Sequence, residues 1–320
     1  MKPTLLLAAL AAALIVPAQA GAQAYPSKTI RFVVGFPAGS TIDNVSRVVL
    51  DDIRTRTGAT IVVENKPGAL GAIGGEQVVK SAADGYTLMA NSSATNSSGP
   101  HLFKRSPYDA IKDFTHLART VRFDVIVVTS AAQPYPNTRA LVDAAKARPK
   151  ALNFGYGSGT GQVVAAAFAR ANGMEVVGVP YKGQPAAITD LMGGQVNFVA
   201  SDLGAVLSHV RSGKLNAIAV ASDKRSTILA NVPTTREQGI RDVELPGWIG
   251  VAGPATLPAE VVAWWHRQLG LTLAATEVIE RLKNMGMEPD LLTGEPLQRF
   301  VQEQHASWGR HVREAGIQPE

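Results

Sequence analysis

Short apolar blocks alternate along this chain with longer stretches in which apolar residues return every three or four positions. The block Ile30-Arg31-Phe32-Val33-Val34 predicts a buried strand. Ile42, Val45, Val48, Val49 and Ile53 then share one face of a helix, which Gly58 closes. Residues 60–63 and 86–90 predict two further strands, separated by a glycine-rich loop at 67–75 and a helix ending near Ala82. The block 125–128 predicts a strand that crosses into a second lobe. There, strands at 153–154, 176–179, 196–200 and 217–221 accompany helices at 141–147 and 163–171. Trp248-Ile249-Gly250-Val251-Ala252 crosses back. The remainder is helical, with Val261, Trp264, Trp265 and Leu269 on one face and a last helix near 295–314. This alternation predicts an α/β protein of two lobes, each a parallel sheet covered on both faces.

A length of 320 residues agrees with about two domains, and an apolar fraction of 46% lets each build a core. Residues 1–24 read differently. Lys2, an apolar run at 5–16, Pro17 and the small-x-small sites Ala18-Gln19-Ala20 and Ala22-Gln23-Ala24 describe a secretory signal peptide. Cleavage is expected after Ala24, with Ala20 as the alternative, which places the mature chain in the periplasm. No other apolar stretch approaches the roughly 18 residues of a membrane span. The chain has no cysteine, which excludes disulfides, thiolate nucleophiles, cysteine metal sites and a lipoprotein anchor. The formal charge of +5 is scattered and forms no basic stripe, so nucleic acid is not an expected partner.

Candidate chemistry gathers at the carboxyl ends of the expected strands, where open α/β sheets bind ligands. Phe36-Pro37-Ala38-Gly39-Ser40-Thr41 joins the first strand to a helix. Gly155-Tyr156-Gly157-Ser158-Gly159-Thr160-Gly161-Gln162 repeats the design in the second lobe. Bare N–H groups at a helix N-terminus, aided by the helix dipole, suit an anion. The candidate ligand residues are therefore Phe36, Gly39, Ser40 and Thr41, then Ser93, Thr95 and Asn96, then Ser158, Gly159, Thr160, Gly161 and Gln162, with Tyr181 as a pocket wall and Asp202 beside them. A plainer reading makes Ser40 and Thr41 ordinary helix caps, and Asp43 a complement to the dipole. The second loop is not a nucleophile elbow, because Gly157 stands where G-x-S-x-G needs serine. Nor is it a dinucleotide loop, because Gln162 replaces the third glycine. The six histidines, His209 and His266 among them, lack ligand spacing. No catalytic residues, metal or cofactor are expected.

The chain resembles the extracytoplasmic solute receptors of tripartite tricarboxylate transporters, the Bug receptors. The likeness is carried by Tyr25-Pro26-Ser27-Lys28, by Phe36-Pro37-Ala38-Gly39 with Asp43 and Arg47, and by Val63-Glu64-Asn65-Lys66-Pro67-Gly68-Ala69. Asp84-Gly85-Tyr86-Thr87-Leu88, Pro100-His101-Leu102, Pro107-Tyr108-Asp109 and Val179-Pro180-Tyr181-Lys182-Gly183 continue it. Gly193-Gly194-Gln195-Val196, Gly213-Lys214-Leu215 and Val232-Pro233-Thr234 complete it. The resemblance implies a type II, Venus-flytrap periplasmic binding protein with its ligand cleft between lobes. Residues 25–125 with 246–320 would form lobe 1, and 126–245 lobe 2. It implies a monomeric, non-catalytic receptor that captures a small carboxylate by backbone amides, hydroxyls and bridging waters and presents it to the permease subunits of a membrane transporter. The ligand class stays open among di- and tricarboxylates, aromatic acids and acidic amino acids. A sensory role toward a membrane partner is the alternative, and an enzyme acting on a small acid the weaker one. The chain departs from its relatives at Ser40 and Ile42, where many have Gly and Thr. It departs again at Ser201, where an Asp is common and Asp202 stands beside it. An acid there suits a ligand bearing an ammonium group.

Overall fold

The computed structural model describes residues 25–319, so the expected leader lies outside the described residues. The chain opens with β1 (Ile30–Val34), α1 (Thr41–Thr57), β2 (Ile61–Asn65), α2 (Ala72–Val79) and β3 (Thr87–Ser92). A wide helical turn at Ser93–Ser98 follows, then β4 (Phe114–Phe123). The chain then forms β5 (Val125–Ser130), α3 (Thr138–Ala147), β6 (Asn153–Tyr156), α4 (Gly159–Ala171), β7 (Val177–Pro180) and α5 (Gln184–Met192). β8 (Phe198–Asp202), α6 (Leu203–Arg211) and β9 (Leu215–Val220) come next. An irregular stretch leads to β10 (Gly247–Pro254), α7 (Ala259–Ala274), α8 (Thr276–Asn284), β11 (Glu288–Leu292) and α9 (Gly294–Glu314).

These strands make two sheets. The first runs β11-β4-β10-β3-β1-β2 and the second β7-β6-β8-β5-β9. Both are mixed rather than parallel. β1 pairs in parallel with β2 and β3, but β10 runs antiparallel to β3 and β4, and β5 antiparallel to β8 and β9. The reason is connectivity. β4 carries the chain out of the first sheet, with Asp124 alone between it and β5, and β10 carries it back. Two strands that cross the same gap in opposite senses and lie side by side must pair antiparallel. Gly247 faces Phe123 where they meet, and a Cβ there would stand 2.1 Å from the Phe123 ring.

β4 is hard to read because His116, Arg119 and Arg122 interrupt its apolar pattern. The fold gives each of them a partner. His116 bonds Asn91 at 3.0 Å and the Ala110 carbonyl at 3.0 Å, and burial pushes its imidazole down to about 4. Arg119 lies over the Phe300 ring and donates to Asp290 at 2.6 Å, which Arg122 also pairs. Paired charges of this kind are what permit burial.

Trp265 is fully buried against Phe32 in the main core. Its indole N–H donates to the Tyr25 hydroxyl at 2.8 Å, and that hydroxyl donates to the Gly85 carbonyl at 2.7 Å. Trp264 and Tyr86 complete the cluster around the Tyr25 ring. Tyr25→Phe keeps the ring but strands an indole N–H and a carbonyl. We expect a loss of about 1–3 kcal/mol in denaturant unfolding; a change below 0.3 kcal/mol would show that this bridge does not anchor the segment.

Candidate functional site

At the end of β1 the chain turns through Gly39, whose φ of +79° suits glycine, and enters α1. The Ser40 hydroxyl accepts from the Asp43 N–H at 3.4 Å, an N-cap bond. Asp43 in turn accepts from the Gly39 N–H at 2.9 Å, from Arg47 at 3.0 Å and from Asn65 at 2.9 Å. Burial pushes its carboxyl up, but these donors outweigh that and hold it below the usual range. Asp43 thus clamps the loop and is spent on it. Asn65 also donates to the Phe36 carbonyl at 3.0 Å, which fixes the loop's first residue.

The second lobe builds α4 in the same way. The Ser158 hydroxyl accepts from the Gly161 N–H at 3.1 Å and from the Gln184 amide at 3.3 Å. Gly157 lies so close to the Gly183–Gln184 backbone that a Cβ would stand 2.1 Å from it. The loops before α4 and α5 are therefore locked together.

The two lobes close on each other here. The Ser93 hydroxyl, at the head of the wide turn, sits 3.2 Å from the Thr160 hydroxyl. Ser93 also accepts from the Trp248 N–H at 3.4 Å. Pro37 packs against Gly183 so tightly that a Cβ there would meet its ring at 2.9 Å. Between them lies a narrow cleft with a cavity volume of about 30 Å³. The first-sheet side contributes Phe36, Ser40, Thr41, Ile42, Ser92, Ser93, Ala94 and Phe123, and the second Ser158, Thr160, Gln184 and Asp202. None of these is Lys or Arg. Asp202 is half-buried, and burial pushes its carboxyl up to about 6 despite the Gln184 amide and the Thr41 hydroxyl that face it.

The candidates from the sequence divide accordingly. Phe36, Ser40, Thr41, Ser93, Ser158, Thr160 and Asp202 meet at this cleft. Gln162 and Tyr181 line a neighbouring cavity with Leu70, Phe103 and Lys182. The Tyr181 hydroxyl donates to Asp190 at 2.8 Å, and burial and that acid push it up to about 12. Thr95 and Asn96 turn away from the cleft. Thr95 is consumed by a reciprocal capping pair with Ser92 and donates to the Asn96 side chain at 2.8 Å, while the Asn96 carbonyl accepts from His305. Gly39, Gly159 and Gly161 do not line the cleft; Gly159 packs on Ser98 and Gly161 on the Ala200 carbonyl. The cleft residues beyond those candidates are Ile42, Ser92, Ala94, Phe123 and Gln184. Of these, Gln184 carried a signal, as the first residue of a helix after a strand-end loop.

Helix N-termini and hydroxyls facing one another across two sheets define a two-lobe binding protein. Residues 45–317 match the model of the tripartite tricarboxylate transporter family receptor, TctC. BugT of Bordetella pertussis is 31% identical over 304 residues, spanning 94% of this chain and 93% of that one. A Rhodopseudomonas palustris protein solved with adipate superposes with a TM-score of 0.89 at 27% identity, over 92% of this chain and all of that one. MatC of the same organism, solved with bound malate, gives 0.83 at 26% identity, over 90% of this chain and all of that one. The chain belongs to the tripartite tricarboxylate transporter receptor family. It is thus a solute receptor and not an enzyme. Among the described residues no helix is long and apolar enough to cross a membrane.

The Asp202 environment has a pH consequence. Its folded-state value lies above the ordinary carboxylate one, so stability present below about pH 4 is lost as pH rises through 6. Asp202→Asn removes that loss. The variant's melting temperature should overtake the wild type's by several degrees between pH 4 and pH 8. Parallel curves for the two proteins would mean that the carboxyl is not held up.

Proposed function

We propose that this chain is a periplasmic receptor that captures a small dicarboxylate between its lobes and delivers it to the permease of a tripartite-type transporter. One observation carries the reading: α1 and α4, from different sheets, present their N-termini to a single cleft whose lining has no cation. Each helix end suits one carboxylate, through free N–H groups and its dipole. The adipate and malate held by structural relatives support the ligand class. Waters bridging Ser40, Ser93, Ser158 and Thr160 to the ligand would complete the contacts.

Residues 25–125 with 246–320 form lobe 1 in this proposal, and 126–245 lobe 2, hinged at Asp124 and at the return into β10. The ligand touches both lobes only when they are closed, so it shifts the population toward closure. The receptor acts as a monomer, after removal of residues 1–24.

Protein starting at Tyr25, unfolded and refolded to strip carried ligand, is the material for a thermal-shift and calorimetric screen of mono-, di- and tricarboxylates, aromatic acids and acidic amino acids. A dicarboxylate at about 100 times its Kd should stabilise by roughly 2.7 kcal/mol. Thr160→Phe should weaken that ligand at least tenfold by filling the space opposite Ser93. Silence across all carboxylates would overturn the proposal.

A further inference from the structure

Asp202 is out of place on two counts. It stands at the N-cap position of α6, where Asp ordinarily accepts from the backbone, yet its side chain makes no capping hydrogen bond. It also lines a cleft whose other polar groups are hydroxyls and an amide, suited to an anion. A carboxylate in such a place repels the ligand the rest of the cleft attracts.

Its surroundings do not neutralise it. The Thr41 hydroxyl and the Gln184 amide face it, and Phe123 and Ile42 line the same cleft. Among the described residues it forms no ion pair with Lys, Arg or His. β5 runs beside it, with Val125 opposite Asp202. The preceding Asp124 carboxyl is engaged by Ser226, with Arg122 nearby. An ionised carboxylate accepts at about four positions. The Gln184 amide, the Thr41 hydroxyl and its own backbone N–H are the donors against it, three for about four positions, and the carboxyl lines the cleft.

We infer that Asp202 is the specificity residue of the cleft, accepting a hydrogen bond from a hydroxyl or ammonium group on the ligand's own carbon chain. This rests on the dicarboxylate reading above. A donor placed between Asp202 and the ligand carboxylates converts a repulsive contact into a charge-assisted hydrogen bond. A plain alkyl dicarboxylate offers the Asp202 carboxyl no donor and sets carboxylate against carboxylate, and a site built to hydrogen-bond a ligand group discriminates strongly against analogues that lack it. The receptor is thus set for hydroxy- or amino-dicarboxylates over unsubstituted ones. The Ser158–Gln184 contact supports this geometry, because it holds the Gln184 amide where it meets both the α4 cap and Asp202.

Calorimetry at neutral pH on two length-matched sets tests it: succinate, malate and aspartate, then glutarate, 2-hydroxyglutarate and glutamate. In the wild type one set should show at least a tenfold preference for a substituted member. The hydroxy acid and the amino acid distinguish the two donors. Asp202→Ala and Asp202→Asn should bring the members of that set within about threefold of one another, with melting curves confirming that both variants fold. Because malate and succinate carry the same charge, loss of general repulsion alone leaves their ratio unmoved. Equal wild-type affinities within both sets, or a preference that persists in both variants, overturns the role of Asp202 while the receptor reading stands. Failure of every carboxylate to bind overturns both.

Discussion

The pairing of β4 with β10 is the constraint on which the rest depends. These are the strands that leave and re-enter the first sheet, and they lie antiparallel in continuous register from Gly247↔Phe123 to Pro254↔Phe114, with two shifts between. The outgoing junction is short, and the longer irregular return at 221–246 is tied back to it. Asp124 alone separates β4 from β5, and its carbonyl accepts from Leu203 at the start of α6. On the return path the Leu245 N–H bonds Ala221, and Ala221 bonds Val125. The two sheets are thereby joined end to end through interior strands, with strand-end loops of both lining one cleft. Gly247 permits this because the Phe123 ring occupies the space where its side chain would stand. Phe123 itself then becomes part of the cleft lining.

Given that frame, the anion recognition proposed for the cleft needs no cationic side chain. Helix N-termini are rigid, already oriented, and carry partial positive charge without a long side chain to order. Much of the polar chemistry nearby goes into holding them still. Asp43, Arg47 and Asn65 brace the loop before α1, and Ser158 with Gln184 braces the loop before α4. The contact between Ser93 and Thr160 is a different matter, because it joins the lobes directly across the cleft. A ligand that replaces or bridges that contact is felt by both lobes at once.

Much of the fold was legible in the chain. The apolar blocks marked most strands, and Gly58, Pro185 and the Asn172-Gly173 pair marked helix ends and starts at the places the structure has them. β4 and β11 were the strands that pattern alone did not reveal. β4 carries charges that only find partners in the fold, and β11 contains Pro289 and alternates little between buried and exposed positions. The cleft was legible where capping makes it local: Ser40 and Ser158 each sit three residues before the N–H they accept, a relation written in adjacent sequence.

The sequence by itself determined the order of elements, the two capped helix starts and the set of small-polar loops at strand ends. These follow from periodicity and from hydrogen bonds that span a few residues. Only the tertiary structure decided strand direction, because direction depends on where the chain re-enters a sheet. It buried Thr95 and Asn96 in the wide turn, where Tyr108 and His305 hold their backbone carbonyls and the Thr95 hydroxyl bonds Ser92 and Asn96. It aimed Tyr181 at Asp190 and brought Gln184 to Ser158. It also released Asp202 from its capping position and set it opposite Thr41. A side chain's direction is settled by the groups packed around it, and for these residues many of those groups lie on other elements of the fold.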